Sequence, residues 1–259
     1  MFGEIRNLHG EKIDYTHHTA SRDSQNLVII GHGVTGNKDR PFVVALANGL
    51  AAAGIPALRI SFSGNGDSEG EFTDSNISKE VADLGAVIDK MADKTVTYVG
   101  HSMGGAVGAL RASQDERIQF LVSLAGMVHT RQFAETEFGM VTPDKGNMWD
   151  DEECPLSQKY MDDLRSIEST VDHAHKVKVP WLLLHGTEDD VVPLQDSKDI
   201  HVKANKSATL IEIPGANHVF AEPHTEPMVT TVVQWLKDQY QLAQTLPVSE
   251  ARVTPDGRR

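Results

Sequence analysis

Short apolar segments recur along the chain, and longer segments with helical periodicity separate most of them. Six apolar runs are predicted to be β-strands: Leu27 to Ile30, Ala57 to Ile60, Val96 to Val99, Phe120 to Leu124, Trp181 to Leu184 and Thr209 to Ile213. Most are apolar at nearly every position, as is typical of strands covered on both faces of a parallel sheet. The alternation of strands with helices requires crossover connections and therefore predicts an α/β fold with a doubly wound, mostly parallel sheet.

The segments between these strands carry helix signals. Pro41 to Ala53 begins with a proline, which suits a first helical turn, and is followed by Gly54. Ser78 to Met91 places its apolar side chains on one face with a period of 3.6 residues. Gly104 to Ala112 and Glu226 to Leu242 are predicted to be two further helices.

The ends of the chain complete this organisation. Glu4 to Leu8 and Glu11 to Thr16 are predicted to form an antiparallel hairpin on the sheet edge, which brings the sheet to about eight strands. A chain of 259 residues can bury one good-sized core, so residues 1–250 are predicted to form a single domain. Residues 251–259 are predicted to be a flexible tail.

The stretch from His129 to His175 interrupts the alternation. It has no strand pattern and is rich in methionine, tryptophan and acidic residues. Connections of this length usually form lids or binding loops. We therefore expect a lid insertion over residues 129–175, and a loose surface excursion is the alternative.

The strongest local motif is Gly-His-Ser-Met-Gly-Gly at residues 100–105, which fits the pattern G-x-S-x-G. It follows the strand Val96 to Val99 and precedes a helix-compatible run of small residues. A nucleophile elbow needs this context, namely a strand, a sharp turn that exposes the serine, and a helix whose first amides face developing negative charge. Ser102 is therefore the predicted nucleophile, and a glycine-rich turn with a capping serine is the alternative.

A serine hydroxyl is a poor nucleophile unless a base accepts its proton, and the chain has 12 histidines. His218 lies in a glycine-containing turn after the strand Thr209 to Ile213. This turn is at the carboxyl end of the predicted sheet, where open α/β sheets collect their active residues. His224 lies further from the strand end and His201 falls within a predicted helix, so His218 is the predicted base.

A carboxylate that orients the imidazole should follow the preceding strand, which ends at Leu184. The turn after that strand contains three candidates, Glu188, Asp189 and Asp190. Two of the three would be ordinary solvated or helix-capping charges. Spacing alone does not distinguish them, so the motif leaves the acid open among these residues.

Acyl transfer also requires hydrogen-bond donors for the oxyanion. One donor is normally the backbone amide of the residue after the nucleophile, here Met103. The other comes from the loop after an early strand, and the glycine-rich segment Gly31 to Gly36 follows Leu27 to Ile30. Val34 is the predicted second donor, and a turn without a role is the alternative.

In sequence order these motifs resemble those of α/β-hydrolase superfamily serine esterases, and the bacterial cinnamoyl and feruloyl esterase-like group in particular. The resemblance extends over residues 27–240 and is carried by His32 to Asn37, Arg59 to Ser68, Gly100 to Gly105, His185 to Pro193 and Asn217 to Phe220. It implies Ser102 as nucleophile, Asp189 as acid and His218 as base. It also implies the amides of Val34 and Met103 as oxyanion donors.

The resemblance also selects among the three carboxylates. In such motifs the acid commonly stands four residues before a proline, as Asp189 does before Pro193, with Asp190 as the alternative. The implied fold is the α/β-hydrolase fold. The implied activity is hydrolysis of small or aromatic carboxylic esters through an acyl-enzyme. A thioesterase or peptidase with the same residues, and a non-catalytic binding protein on the same scaffold, are the alternatives.

Composition restricts the partners. A net charge of −13 argues against binding to nucleic acid and to anionic lipid.

The single cysteine, Cys154, cannot form an internal disulfide, and the first ten residues lack an apolar signal segment, so a cytoplasmic location is predicted. The histidine pairs at 17–18 and 173/175 lack the company of a metal site, and no phosphate-binding or dinucleotide-binding loop is present, so no metal or organic cofactor is predicted. The expected partner is a small-molecule ester, and a homodimer is compatible with the sequence.

Overall fold

A computed structural model describes residues 2–21, 24–91, 93–204 and 207–245. These residues contain nine strands: β1 (Ile5–Arg6), β2 (Lys12–Ile13), β3 (Tyr15–His18), β4 (Asn26–Gly31), β5 (Ala57–Ile60), β6 (Thr95–His101), β7 (Ile118–Leu124), β8 (Trp181–Gly186) and β9 (Ala208–Ile213). Seven of them form one sheet in the order β3-β5-β4-β6-β7-β8-β9. Neighbouring strands in this sheet are parallel except for the edge pair β3 and β5. The predicted α/β fold with a mostly parallel sheet is confirmed.

The main sheet has seven strands rather than about eight, because the predicted hairpin divides. β1 and β2 pair only with each other, in a separate two-stranded sheet. Ile5 and Ile13 of this small sheet are buried in the same core cluster as Leu84, which belongs to the helix Ile77–Asp89. The second predicted segment, Glu11 to Thr16, contains β2 and the start of β3. β3 does not pair with β1 but joins the edge of the main sheet. The predicted tail at residues 251–259 lies outside the described residues.

Eight α-helices surround the sheet in the described part of the chain: α1 (Pro41–Ala52), α2 (Ile77–Asp89), α3 (Met103–Ala112), α4 (Thr130–Phe138), α5 (Gln158–Ile167), α6 (Val171–Ala174), α7 (Leu194–Lys203) and α8 (Thr225–Thr245). The four helices predicted with bounds, α1, α2, α3 and α8, are present within a few residues of those bounds. α1 begins at Pro41 and is followed by Gly54 at a φ of 85°. In the described ranges, no helix combines the length and apolar character needed to cross a membrane.

Alternate side chains of the central strands enter two apolar layers. In β4, Leu27 and Ile29 pack in the layer that contains α2 and α3. Val28 and Ile30 pack in the opposite layer, which contains α1 and α8. Because successive side chains of a strand point to opposite faces, a strand covered on both faces must be apolar at every position. This explains the uninterrupted apolar runs in the sequence.

The segment between β7 and β8 folds as packed helices. It contains α4, α5 and α6, together with a short 3₁₀ helix at Met148–Asp150. Phe138 lies edge-on to Phe133 and to Tyr160, at ring-centroid distances of 5.9 and 6.1 Å. Where this insertion begins, the amides of Val128 and His129 donate to Asp196 of α7 at 2.8 and 3.2 Å. The insertion is thus attached to the sheet domain, and its action as a lid stays a prediction.

Glu80 is a buried carboxyl in the first turn of α2. Its Oε1 atom accepts a hydrogen bond from Ser75 Oγ at 3.3 Å, while its Oε2 atom has no partner among the described residues. Burial, and after it the charge of Asp83, raise the pKa of Glu80 well above its usual range. The folded protein therefore favours the neutral carboxylic acid at this position.

We expect Glu80→Gln to raise the melting temperature at neutral pH. The unfolded chain releases this proton above a pKa of ~4.3 and the folded chain retains it, so the unfolding free energy of the wild type should fall by up to ~1.4 kcal/mol per pH unit until the folded pKa is reached. Glutamine does not titrate, so the melting temperatures of variant and wild type should differ little near pH 4, and the variant's should be increasingly higher towards neutral pH. Thermal unfolding as a function of pH measures this, with the exposed Glu116→Gln as control. Equal pH slopes in wild type and Glu80→Gln would contradict it.

Candidate active site

Ser102 lies in the sharp turn between β6 and α3. Its backbone has a φ of 53° and a ψ of −119°, a strained conformation for a residue other than glycine. Three hydrogen bonds hold it there: its amide donates to the carbonyl of Leu124 at 3.0 Å, and its own carbonyl accepts from the amides of Gly105 at 2.8 Å and Met127 at 2.9 Å. This strand-turn-helix arrangement is the geometry of a nucleophile elbow.

Glycines allow the backbone to make this turn and allow a second loop to approach it. A Cβ atom on Gly100 would lie 2.0 Å from the carbonyl oxygen of Gly104, so no side chain fits at this position. A Cβ atom on Gly33 would lie 2.7 Å from the Cβ atom of Ser102. The loop after β4 is therefore packed directly against the elbow.

His218 is hydrogen-bonded to Asp189, whose side chain is fully buried. The distance from His218 Nδ1 to Asp189 Oδ2 is 2.9 Å. The other carboxylate oxygen, Oδ1, accepts the amides of Val191 and Val192, both at 2.9 Å. His185 Nε2 lies 3.2 Å from Asp189 Oδ2. Both oxygens of this carboxylate therefore accept hydrogen bonds.

The ionisation of Asp189 follows from its contacts. Burial by itself would raise the pKa of Asp189, but hydrogen bonds from His185, His218 and the backbone outweigh burial and hold the pKa below its usual range. Asp189 is therefore ionised at neutral pH, and the Nδ1–H of His218 donates to it. The Nε2 atom of neutral His218 is left with a lone pair that can accept a proton.

The structure pairs only one of the three predicted carboxylates with the predicted base. Asp189 contacts His218, whereas Glu188 and Asp190 are exposed to solvent. Of the other histidines considered, His201 is an exposed residue of α7.

Ser102 and His218 line the same pocket, which has a volume of ≈ 320 Å³. Its other walls come from the loop after β4, from α1, from the end of β6, from the insertion, from the loop after β8 that carries Asp189 and from the turn that carries His218. They include Val34, Phe42, His101, Trp149, Val191 and Val219. A larger groove of ≈ 600 Å³ between the insertion and α7 contains none of the predicted catalytic residues. The smaller pocket is therefore the candidate active site.

Two backbone amides beside this pocket are available as donors. Met103 is the first residue of α3, where helix amides have no intrahelical acceptor. Val34 lines the pocket, in the loop that packs against the elbow. Across the described residues, neither amide donates to a protein acceptor. Both predicted oxyanion donors are thus free to bind a ligand oxygen.

His101 was not predicted as a functional residue. Its Nε2 atom lies 2.9 Å from the carbonyl oxygen of His218, and the two imidazole rings are 4.7 Å apart. Burial, and after it the electrostatic effect of the neighbouring His218 ring, lower the pKa of His101 to about 3, so His101 is neutral and donates from Nε2. Its place inside the G-x-S-x-G motif was the available signal.

Trp149 and His185 were also missed. Trp149, from the 3₁₀ helix of the insertion, lines the pocket and donates from Nε1 to Glu137 at 2.8 Å. No periodicity or motif in the sequence marks it. His185 directly follows Leu184 at the end of β8 and begins one of the motifs that carry the resemblance, and these were its available signals. Nowhere in the described ranges do three or more His, Cys, Asp or Glu side chains form a group that could hold a metal ion.

Comparison with known proteins establishes the family of this chain. The profile of the prolyl oligopeptidase family matches residues 46–243, a range that includes Ser102, Asp189 and His218. The chain belongs to the prolyl oligopeptidase family. Its fold is the α/β-hydrolase fold that the sequence resemblance implies.

Individual proteins are similar to the chain in sequence or in fold. Est1E from Butyrivibrio proteoclasticus, solved with ferulic acid bound, is 26% identical with a TM-score of 0.82 over 92% of this chain and 99% of that chain. The mitochondrial palmitoyl-protein thioesterase ABHD10 of Bos taurus is 26% identical over 191 residues, which are 67% of this chain and 60% of the relative. The solved structure of mouse ABHD10 shares the fold, with a TM-score of 0.74 at 18% identity over 93% of this chain and 98% of that chain. The chain thus spans less than two thirds of the length of its curated relative.

Proposed function

We propose that the chain is a carboxylesterase that cleaves small or aromatic esters through an acyl-enzyme. Ser102 is the nucleophile, His218 the general base and Asp189 the acid that orients the base. The observation that carries this proposal is the placement of Ser102 and His218 in one pocket, with His218 Nδ1 bonded to a buried carboxylate at 2.9 Å.

The contacts define the reaction steps. Nδ1–H of His218 is engaged by Asp189, so the free Nε2 atom takes the proton of the Ser102 hydroxyl as the oxygen attacks the ester carbonyl. The imidazolium formed is stabilised by ionised Asp189 and returns the proton to the departing alcohol. Water, activated by the same imidazole, then releases the acid from Ser102.

The two free amides support an oxyanion hole. Met103 and Val34 would donate to the carbonyl oxygen of the substrate as it becomes negative in the tetrahedral intermediate. Their donors belong to the backbone of a helix N-terminus and of a tightly packed loop. They would therefore need little reorganisation when the charge develops.

The pocket walls favour compact, partly aromatic substrates. Phe42, Trp149 and Val191 supply apolar and aromatic surface beside Ser102. Est1E, which shares this fold at 26% identity, has been solved with ferulic acid. Both observations support an aromatic acyl or alcohol group in the substrate.

We also propose a cytoplasmic location, supported by the single, unpaired Cys154.

The test is a comparison of methyl ferulate, methyl butanoate and a palmitoyl thioester, with wild type and Trp149→Ala. For the variant we expect kcat/KM for methyl ferulate to fall by about 2- to 10-fold, because an aromatic contact contributes ~0.5–1.5 kcal/mol, with less change for methyl butanoate. Met140→Ala, a fully exposed apolar residue of the same insertion, is the matched control. Equal losses on both methyl esters would contradict an aromatic subsite. Turnover of the palmitoyl thioester alone would replace carboxylesterase with thioesterase, the activity named for ABHD10.

A further inference from the structure

His32 is a buried histidine at the carboxyl end of β4 to which the proposed reaction assigns no role. Its Nε2 atom accepts the backbone amide of Phe62 at 3.0 Å, and its Nδ1 atom lies 2.9 Å from the carbonyl oxygen of Gly33. An amide can only donate and a carbonyl can only accept, so Nε2 carries no proton and Nδ1 carries one. Burial lowers the pKa of His32 to about 4, in agreement with a neutral ring.

The Gly33 carbonyl oxygen receives a second hydrogen bond. The amide of Gly36 donates to it at 3.0 Å across the turn. A carbonyl oxygen has two lone pairs, and here both are engaged. The direction of this carbonyl is therefore determined by His32 on one side and by the turn on the other.

The orientation of the Gly33 carbonyl determines the orientation of the Val34 amide. The two groups belong to the same peptide unit, which is planar and trans, so the Val34 N–H points away from the Gly33 oxygen. The peptide cannot rotate without breaking the bonds from both His32 and Gly36. The Val34 amide donates to no protein acceptor in the described residues. Its direction is therefore held by the hydrogen bonds that the Gly33 carbonyl oxygen accepts from His32 and Gly36.

The same backbone is packed against the nucleophile. A Cβ atom on Gly104 would lie 2.5 Å from the carbonyl oxygen of His32, and one on Gly33 would lie 2.7 Å from Ser102 Cβ. The loop thus contacts α3 and the elbow without intervening side chains. A small rotation of the Gly33–Val34 peptide would change the direction of the Val34 N–H next to the reacting centre.

We infer that His32 is a positioning residue that aims the Val34 amide at the oxyanion, by hydrogen-bonding the carbonyl on the other side of the same peptide. This inference rests on the proposed function. His32 itself does not touch the substrate carbonyl. Its effect should therefore appear in the transition state, where the oxyanion is charged, and much less in substrate binding.

Two substitutions separate the two hydrogen bonds of His32. The amide nitrogen of asparagine stands as many bonds from Cα as Nδ1 does, so His32→Asn keeps a donor for Gly33 and loses the acceptor for Phe62. Glutamine reaches the position of Nε2, so His32→Gln keeps the acceptor for Phe62 and loses the donor for Gly33. His201→Asn, at an exposed position of α7, is the matched control.

The experiment measures kcat and KM for p-nitrophenyl acetate, and the inhibition constant of phenylboronic acid, whose adduct on a serine is a tetrahedral anion. We expect His32→Gln to lower kcat by about 10- to 100-fold with little change in KM, since removal of a donor from an oxyanion hole costs roughly 10²- to 10³-fold. Boronate inhibition should weaken in parallel. His32→Asn should retain most of kcat, and His201→Asn all of it.

A purely structural role for His32 would give other results. Wild-type kcat in both variants would overturn the inference. Equal losses in the two variants, with KM rising in proportion, would do the same.

Should the histidine variants fail to fold, Gly36→Ala keeps the histidine but disturbs the same hydrogen bond, since its Cβ atom would lie 3.2 Å from His32 Nδ1. Its Cβ atom would lie 2.9 Å from the Gly33 oxygen, so we expect a fall in kcat, and an unchanged kcat would overturn the inference. Two different results would contradict the proposed function itself: no turnover in the wild type, or full turnover in Ser102→Ala.

Discussion

Ser102→Ala is expected to hydrolyse p-nitrophenyl acetate at least about 10³-fold more slowly than the wild type, because loss of the nucleophile removes the acyl-enzyme pathway. The melting temperature should stay close to that of the wild type. Alanine at a φ of 53° is about as strained as serine, and the three hydrogen bonds that hold residue 102 come from its backbone.

The control for this substitution is Ser113→Ala, which changes a serine at the end of the same helix, outside the pocket. It should leave the rate unchanged. A fluorophosphonate probe should label the wild type and Ser113→Ala, and mass spectrometry should place the label on Ser102. Retention of about a tenth of the activity by Ser102→Ala, or labelling of another serine, would contradict the assignment of the nucleophile.

Asp189→Asn is expected to lower kcat by roughly 10³- to 10⁴-fold, whereas Asp190→Asn should change it less than about threefold. Asparagine removes the negative charge that stabilises the imidazolium. Its amide can also donate to His218 Nδ1, which would move the imidazole proton to Nε2 and block its action as a base. Asp190 is exposed and makes no comparable contact with His218.

The neighbouring carboxylates make the Asp189 comparison well controlled, because both substitutions change the same side chain in the same loop. Rates for both variants, and a thermal unfolding curve for each, complete the measurement. The folded-state pKa of Asp189 is lowered, so its stabilising contribution is present above the unfolded pKa and is lost as the pH falls through the folded one. A larger loss of activity in Asp190→Asn than in Asp189→Asn would assign the role of the acid to Asp190 instead.

Much of the fold could be predicted because its signals are local. An apolar run such as Trp181 to Leu184 reports burial on both faces, and the observed strand β8 begins at the same residue. Pro41 marks the first turn of α1 because proline is tolerated there and lacks the amide that a helix interior needs. The hairpin prediction was less successful, since pairing partners at a sheet edge depend on the neighbouring strand.

The candidate site divides in the same way. Ser102 could be predicted because strand, turn and helix are adjacent in sequence. The three acidic residues at 188–190 could not be separated by spacing, because only the folded loop decides which carboxylate faces the imidazole. Trp149 carried no signal, since its position in the pocket depends on how the insertion packs against α7 and on a bond to Glu137.

The sequence by itself determined the order of strands and helices, the elbow around Ser102 and the turn that carries His218, because each depends on residues within one or two turns of chain. The family resemblance selected Asp189, but only the tertiary structure showed that this carboxylate contacts His218, and only it decided the contribution of Trp149 and the tautomers of His32 and His101. Those features depend on burial and on hydrogen bonds between segments far apart in sequence. Such contacts are formed when the sheet brings its strand ends together, and no local pattern encodes them.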